Sequence, residues 1–234
     1  MHIDILGKKL LTIVAHPDDE SFLAAGTLYA NKLQGGSNYL ICASKGERGY
    51  SYMETSVSTE EMKELRRKEF LDASSYVGVD AVSILDFRDG ELSSSVEYLE
   101  KEVKEFADSR DFDFVLSFGP DGYTGHTDHV AVYHVAKDIA NMYKVPLVKF
   151  SKLPKGVCKN MDTYLATKRL NGTYDDRCPL SQKPDIHIKI DPAVKFKALS
   201  FHKSQFKGLD PYNVFPKDVA EHFLSNEYFH LSEN

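Results

Sequence analysis

The sequence predicts an α/β protein with a three-layer, Rossmann-like architecture, in which a mostly parallel sheet carries helices on both faces. Three observations point to it. Short apolar runs alternate with helical patterns through the first 150 residues, the order expected of parallel strands joined by crossover helices. Two of the intervening segments carry helix-start signals. Clusters of histidine and carboxylate follow directly on two of the apolar runs, at strand ends, where open α/β sheets keep their sites.

The run Leu10, Leu11, Thr12, Ile13, Val14 places the first strand at residues 9–15. The second is expected over 38–44. Ser58 and Glu61 then stand in capping-box spacing before a helix carrying Arg66 and Glu69. A strand over 81–86 precedes a helix whose single apolar stripe is Val96, Leu99, Val103 and Phe106, with Ser94 and Glu97 repeating the capping-box spacing. Strands at 113–118 and 145–150 complete the regular part. Pro154, Gly156, Gly172, Pro179 and Pro184 interrupt the rhythm around residues 151–183, which read as an irregular insertion rather than a domain boundary. Alternation resumes at Ile186, Ile188 and Ile190, followed by a helix from Pro192 through Gln205, where proline suits the first turn. A helix and a short strand are expected in the last thirty residues. Residues 1–234 are read as one domain, a size that supports one well-filled core.

Bulk properties narrow the function. With 42% hydrophobic and 27% charged residues the composition is that of a globular protein. A net charge of -6 excludes a general affinity for nucleic acid, which requires a basic face. No signal peptide is evident, and no apolar run approaches the ~20 residues that cross a bilayer, so neither a membrane partner nor export is expected and the location is read as cytoplasmic. The three cysteines, Cys42, Cys158 and Cys178, have neither disulfide-framework nor thiolate-zinc spacing. A metal would therefore use nitrogen and oxygen ligands. Asn171-Gly172-Thr173 fits a glycosylation sequon and is read as a polar turn. No heptad pattern marks self-association, which leaves a homo-oligomer open.

The chemistry concentrates in Ala15-His16-Pro17-Asp18-Asp19-Glu20 and Gly125-His126-Thr127-Asp128-His129. A catalytic zinc site takes three protein ligands and leaves one position open. His16, one acid of the Asp18-Asp19 pair and a histidine of the second cluster satisfy that count. Adjacent side chains diverge, so one acid can bind the metal while the other faces the water and accepts its proton. The competing structural role for both acids is to cap a helix beginning near Ser21. Asp128 can accept a hydrogen bond from an imidazole, fixing its tautomer.

These two motifs resemble those of the LmbE-like, PIG-L-type de-N-acetylases, a family of zinc-dependent amidohydrolases. The likeness extends through Gly46-Glu47-Arg48-Gly49, Arg66 to Glu69, Phe87-Arg88-Asp89-Gly90 and His202-Lys203-Ser204-Gln205, and so spans nearly the whole chain. The resemblance implies that His16, Asp19 and His129 hold Zn2+, or another divalent metal, that Asp18 is the general base, and that a protonated His126 stabilises the tetrahedral intermediate, with Asp128 beside it. It further implies that Arg66 and Asp89 contact the sugar. Glu47, on a glycine-flanked loop, and His202, in the late motif, join the substrate-binding candidates. Arg66 and Glu69 also have the spacing of a helix-surface ion pair, and His202 also suits a helix-buried histidine. One departure is that Thr124 stands where many members have Tyr, with Tyr123 before it. The implied partner is a small N-acetylglucosamine-type conjugate, hydrolysed to acetate and a free amine. The alternatives are a zinc hydrolase of another amide or ester, and a non-catalytic nucleotide-binding module; the absence of Gly-x-Gly-x-x-Gly after the first strand speaks against the latter.

Overall fold

A computed structural model describes residues 4–49, 56–153, 183–206, 211 and 216–232. In chain order the described elements begin β1 (Lys9–Val14), α1 (Asp19–Leu23), α2 (Ala25–Leu33), β2 (Ser37–Ser44), α3 (Thr59–Tyr76), β3 (Ala81–Phe87) and α4 (Val96–Asp108). They continue β4 (Phe114–Ser117), α5 (Gly122–Gly125), α6 (Thr127–Tyr143), β5 (Leu147–Phe150), β6 (Ile186–Lys189), α7 (Pro192–Leu199), α8 (Lys203–Phe206), α9 (Lys217–Ser225) and β7 (Asn226–Leu231).

The seven strands form one sheet in the order β3-β2-β1-β4-β5-β7-β6. The first five pair in parallel, while β7 runs antiparallel to both neighbours. This is the α/β architecture that the alternation predicts. Leu10, Leu11, Ile13 and Val14 of the central β1 are fully buried, as are Leu40, Ile41 and Cys42 of β2 and Val115 and Leu116 of β4. Right-handed crossovers place successive helices on one face until the strand order reverses, then on the other. Accordingly α2 and α3 pack with α7, and α4 packs against α6. The reversal lies between β1 and β4, so the loops leaving these two strands part there and open a crevice at their carboxyl ends. Both histidine clusters lie there, in those loops and the first turns of α1 and α6 that follow them.

Three details depart from the sequence reading. The helix expected from Pro192 through Gln205 is two pieces, α7 and α8, broken across Ser200–His202. Ser94 caps nothing at α4: the N-cap is Ser95, and Ser94 Oγ donates to the Glu91 carbonyl at 2.7 Å in a preceding 3-10 turn. Ser58 does make its capping box, accepting from Glu61 N while the Glu61 carboxylate accepts from Ser58 N. Most of the 151–183 insertion, with Cys158, Cys178 and the Asn171 sequon, lies outside the described residues. Among the described residues, no helix is long and apolar enough to cross a membrane.

Candidate active site

The loop after β1 turns sharply. His16 N and Ala15 N both donate to Asp19 Oδ2, at 2.8 and 3.2 Å, which folds the Asp19 carboxylate back over the strand end. Asp19 Oδ1 is thereby left 3.3 Å from His129 Nε2, and His129 Nε2 is also 3.3 Å from His16 Nδ1. The other Asp19 oxygen, Oδ2, lies 3.6 Å from His16 Nδ1. Zinc bonds of about 2.0–2.1 Å in tetrahedral directions put ligand atoms about 3.3–3.4 Å apart. The two 3.3 Å separations match that edge, so the triad has the spacing of three corners of a tetrahedral shell, with donors that suit zinc.

The outer nitrogens of both histidines are fixed. His129 Nδ1 lies 3.0 Å from the Gly122 carbonyl, and its ring stacks on buried Phe118 with centroids 3.9 Å apart. That carbonyl belongs to α5, where Gly122 has φ 59 and a Cβ would press on Val130. His16 Nε2 lies 3.1 Å from Asp128 Oδ2 and 3.2 Å from Asp89 Oδ1. With these nitrogens donating, the other ring nitrogen of each histidine is the one presented to an ion.

Asp128 thus partners the histidine of the other loop rather than one of its own cluster. It is fully buried and also accepts from Gly90 N at 2.7 Å and Leu92 N at 3.1 Å. Asp89 is braced likewise, accepting from Arg48 N at 3.0 Å, and Glu47 Oε1 accepts from Asp89 N at 3.1 Å. Glu47 Oε2 is buried without a hydrogen-bond partner. Asp89 is therefore committed to its neighbours.

Asp18 occupies the N-cap position of α1, but its side chain makes no cap bond there. Its carboxylate accepts instead from Arg66 Nη2 at 3.1 Å. Arg66, only 3% exposed, also donates to the carbonyls of Pro17 and Gly46, so its guanidinium braces the loop from beneath. The ion pair that Arg66 and Glu69 could make on a helix surface is replaced: Glu69 turns to α8 and accepts from Ser204 N and Ser204 Oγ, at 2.8 and 2.6 Å. His202 is fully buried, in the break between α7 and α8, against Glu20. Glu20 received no role in the sequence reading.

These contacts sort the charges. Burial pushes the Asp18 carboxyl up to about 6 against the pull of Arg66, with the Asp19 charge adding to the rise. Burial opposes charge on Asp19 too, but His129 and His16 hold its pKa well below the usual value. His16 is displaced upward despite burial because Asp128, Asp19 and Asp89 surround it. His126 moves down, through burial and then through His16 and His129. Exposed at the crevice, His126 accepts from Asp128 N at Nδ1, 3.2 Å away, so in the neutral ring Nε2 bears the proton. The expected protonated imidazole is thus disfavoured, and a cation in the cradle would disfavour it further. The side chain of Thr124 lies outside what the structure describes.

The chain is 29% identical over 202 residues to a probable N-acetyl-alpha-D-glucosaminyl L-malate deacetylase 2 of Bacillus anthracis, covering 85% of this chain and 82% of the relative. Among solved structures, the N,N'-diacetylchitobiose deacetylase of Pyrococcus horikoshii superposes with a TM-score of 0.65 at 24% identity, covering 96% of this chain and 84% of that one. The 4-carboxy-2-hydroxymuconate hydratase of Pseudomonas putida KT2440 superposes at 0.60 and 18% identity, covering 97% and 99%, so the fold also serves another reaction. A family model described as PIG-L, GlcNAc-PI de-N-acetylase, matches residues 11–140, which contain both histidine clusters and span more than half of the chain. The chain belongs to the PIG-L de-N-acetylase family.

Proposed function

We propose that this protein is a metal-dependent amidohydrolase that removes acetate from a small N-acetylglucosamine conjugate. The observation that carries the reading is the His16–Asp19–His129 cluster, in which His129 Nε2 lies 3.3 Å from both His16 Nδ1 and Asp19 Oδ1, with the Asp18 carboxylate on the residue next to one candidate ligand. His16 Nδ1, His129 Nε2 and Asp19 Oδ1 would hold Zn2+ or a similar divalent ion. When bound, such an ion polarises a carbonyl and makes water acidic near neutrality.

The chain's own groups supply the rest. Asp18, with a pKa of about 6, is ionised at neutral pH yet basic enough to take a proton from water. Arg66 keeps that carboxylate at the rim. Neutral His126 presents Nε2–H to the oxygen on which charge develops when water attacks an acetamide carbonyl. The proton on Asp18 then passes to the departing nitrogen, releasing acetate and a free amine. Asp128 and Asp89 hold His16, and Glu47 braces Asp89 by accepting from its main-chain NH.

The substrate class draws on what the relatives' names share. Malate, phosphatidylinositol and a second sugar differ as partners of N-acetylglucosamine, whereas the acetamide is common to them. The reading is tested by following free amine and acetate from N-acetylglucosaminyl malate, N-acetylglucosaminyl inositol and diacetylchitobiose, with matched acetate esters in parallel. Stoichiometric amine and acetate, abolished by chelation and restored by zinc, is the expected result. Ester cleavage without amine release from any conjugate would replace it with an esterase.

A further inference from the structure

The most constrained backbone in the site is that of Asp18, at φ 126 and ψ -27. This region is sparsely populated by residues with a Cβ, and such a conformation persists only where neighbours over-determine it. Arg66 supplies one hold, through Pro17 O and the Asp18 carboxylate. The second is Glu20, whose Oε2 accepts from Asp18 N at 3.1 Å. Its other oxygen, Oε1, lies 2.8 Å from His202 Nε2 and accepts from Ser21 Oγ at 2.6 Å. Glu20, Ser21 and His202 are all completely buried.

A buried ion pair is a weak means of stabilising a fold, because desolvation offsets most of the attraction. This one instead ends on a main-chain NH of the site. Adjacent carboxylates must face different ways if Asp19 is to enter the cradle while Asp18 stays outside it, and the turn at Asp18 achieves that divergence.

We propose that Glu20, locked by His202, is a positioning residue: it fixes the Asp18 main chain so that the Asp18 carboxylate stands at the rim of the metal cradle. The break in the helix after Leu199 serves this purpose, since it lets His202 enter the core against Glu20. The inference rests on Asp18 being the base.

Glu20→Gln keeps an acceptor for Asp18 N, whereas Glu20→Ala removes it, and His202→Gln keeps a donor at the position of Nε2. The expected pattern, measured on the zinc-loaded full chain with its best conjugate, is a loss of about 10²-fold in kcat for Glu20→Ala, the scale of a displaced catalytic group. KM and zinc content should stay within about threefold, and Glu20→Gln and His202→Gln should each lose at least tenfold less kcat than Glu20→Ala. A crystal structure of Glu20→Ala should show Asp18 leaving positive φ. If Asp18 keeps φ near 126 in that variant, or if kcat is unchanged while Asp18→Asn is inactive, the positioning role is overturned and the base assignment stands. A fully active Asp18→Asn overturns both. Equal kcat losses in the alanine and glutamine variants, with lost zinc, would make Glu20 merely structural.

Discussion

Asp128→Ala is the perturbation whose size follows most directly from the geometry. The carboxylate is fully buried and accepts from three donors: His16 Nε2, Gly90 N and Leu92 N. Alanine leaves all three without this acceptor. Gly90 is exposed and can turn to water, and His16 keeps Asp89 3.2 Å away, but Leu92 is fully buried. An unsatisfied buried donor costs about 1–3 kcal/mol, and loss of a charge-assisted bond adds a similar amount, for a total of about 3 kcal/mol. In a chain of this length that lowers Tm by about 6–12 °C. Freeing His16 from its partner should also weaken metal binding by about 10–100-fold. Asp128→Asn separates the two effects. With its oxygen at the Oδ2 position it still serves His16 and Gly90 but turns its NH2 towards Leu92 N, so stability should fall while metal affinity is largely retained. Calorimetric zinc titration and thermal melts of metal-free protein measure both quantities. Zinc affinity within twofold of wild type for Asp128→Ala would refute the argument that Asp128 orients His16.

Other consequences are independent of the metal. A Cβ on Gly26 would lie 2.4–2.5 Å from three side-chain atoms of Ile190, so Gly26→Ala should destabilise by about 1–3 kcal/mol through overpacking, read by urea denaturation. Glu227, 3% exposed, accepts from Gly26 N and Thr27 N and pairs with buried Lys195 at 3.1 Å; Glu227→Ala should cost about 3–5 kcal/mol by stranding that cation, whereas Lys195→Met with Glu227→Gln should recover part of it. Burial opposes charge on His202, but Glu20 raises its pKa above the ordinary 6.5. Because the folded value is the higher one, this contribution to stability is complete below about pH 6.5 and is lost as pH rises through the folded pKa. The stability gap between wild type and His202→Gln, measured on metal-free protein, should narrow over that rise; a gap that widens would show that His202 is buried neutral.

The sheet was legible because its signal is local: the central strands β1, β2 and β4 are apolar runs, β6 alternates, and α4 carries a periodic stripe. The ligand candidates were legible because histidine and acid at a strand end have few structural uses. Their partners were not, because they depend on which loops meet. Asp128 reads locally as the orienter of a neighbouring imidazole, but the crevice between β1 and β4 gives it His16, 112 positions away. Glu20 reads as one more acid in the first turn of a helix, and only the interruption of the helix at His202, 182 positions later, gives it a buried partner. Ser94 shows a limit of motif spacing: a 3-10 turn moved the helix start by one residue. A glutamate directly after two candidate site aspartates, matched by a late histidine in a motif of the same resemblance, is the one signal that could have suggested the pair.

The division of labour within His16-Pro17-Asp18-Asp19 is tested most directly by one substitution, Asp18→Asn, measured for zinc content and for kcat on the conjugate that wild-type enzyme deacetylates best. Asn keeps the shape and an oxygen for Arg66 but cannot accept a proton from water. Bound zinc equal to wild type with kcat reduced by about 10²–10⁴-fold, the range for removal of a positioned base, is the expected result. Full zinc with near-wild-type turnover would contradict it, and would move the base to another group of the crevice.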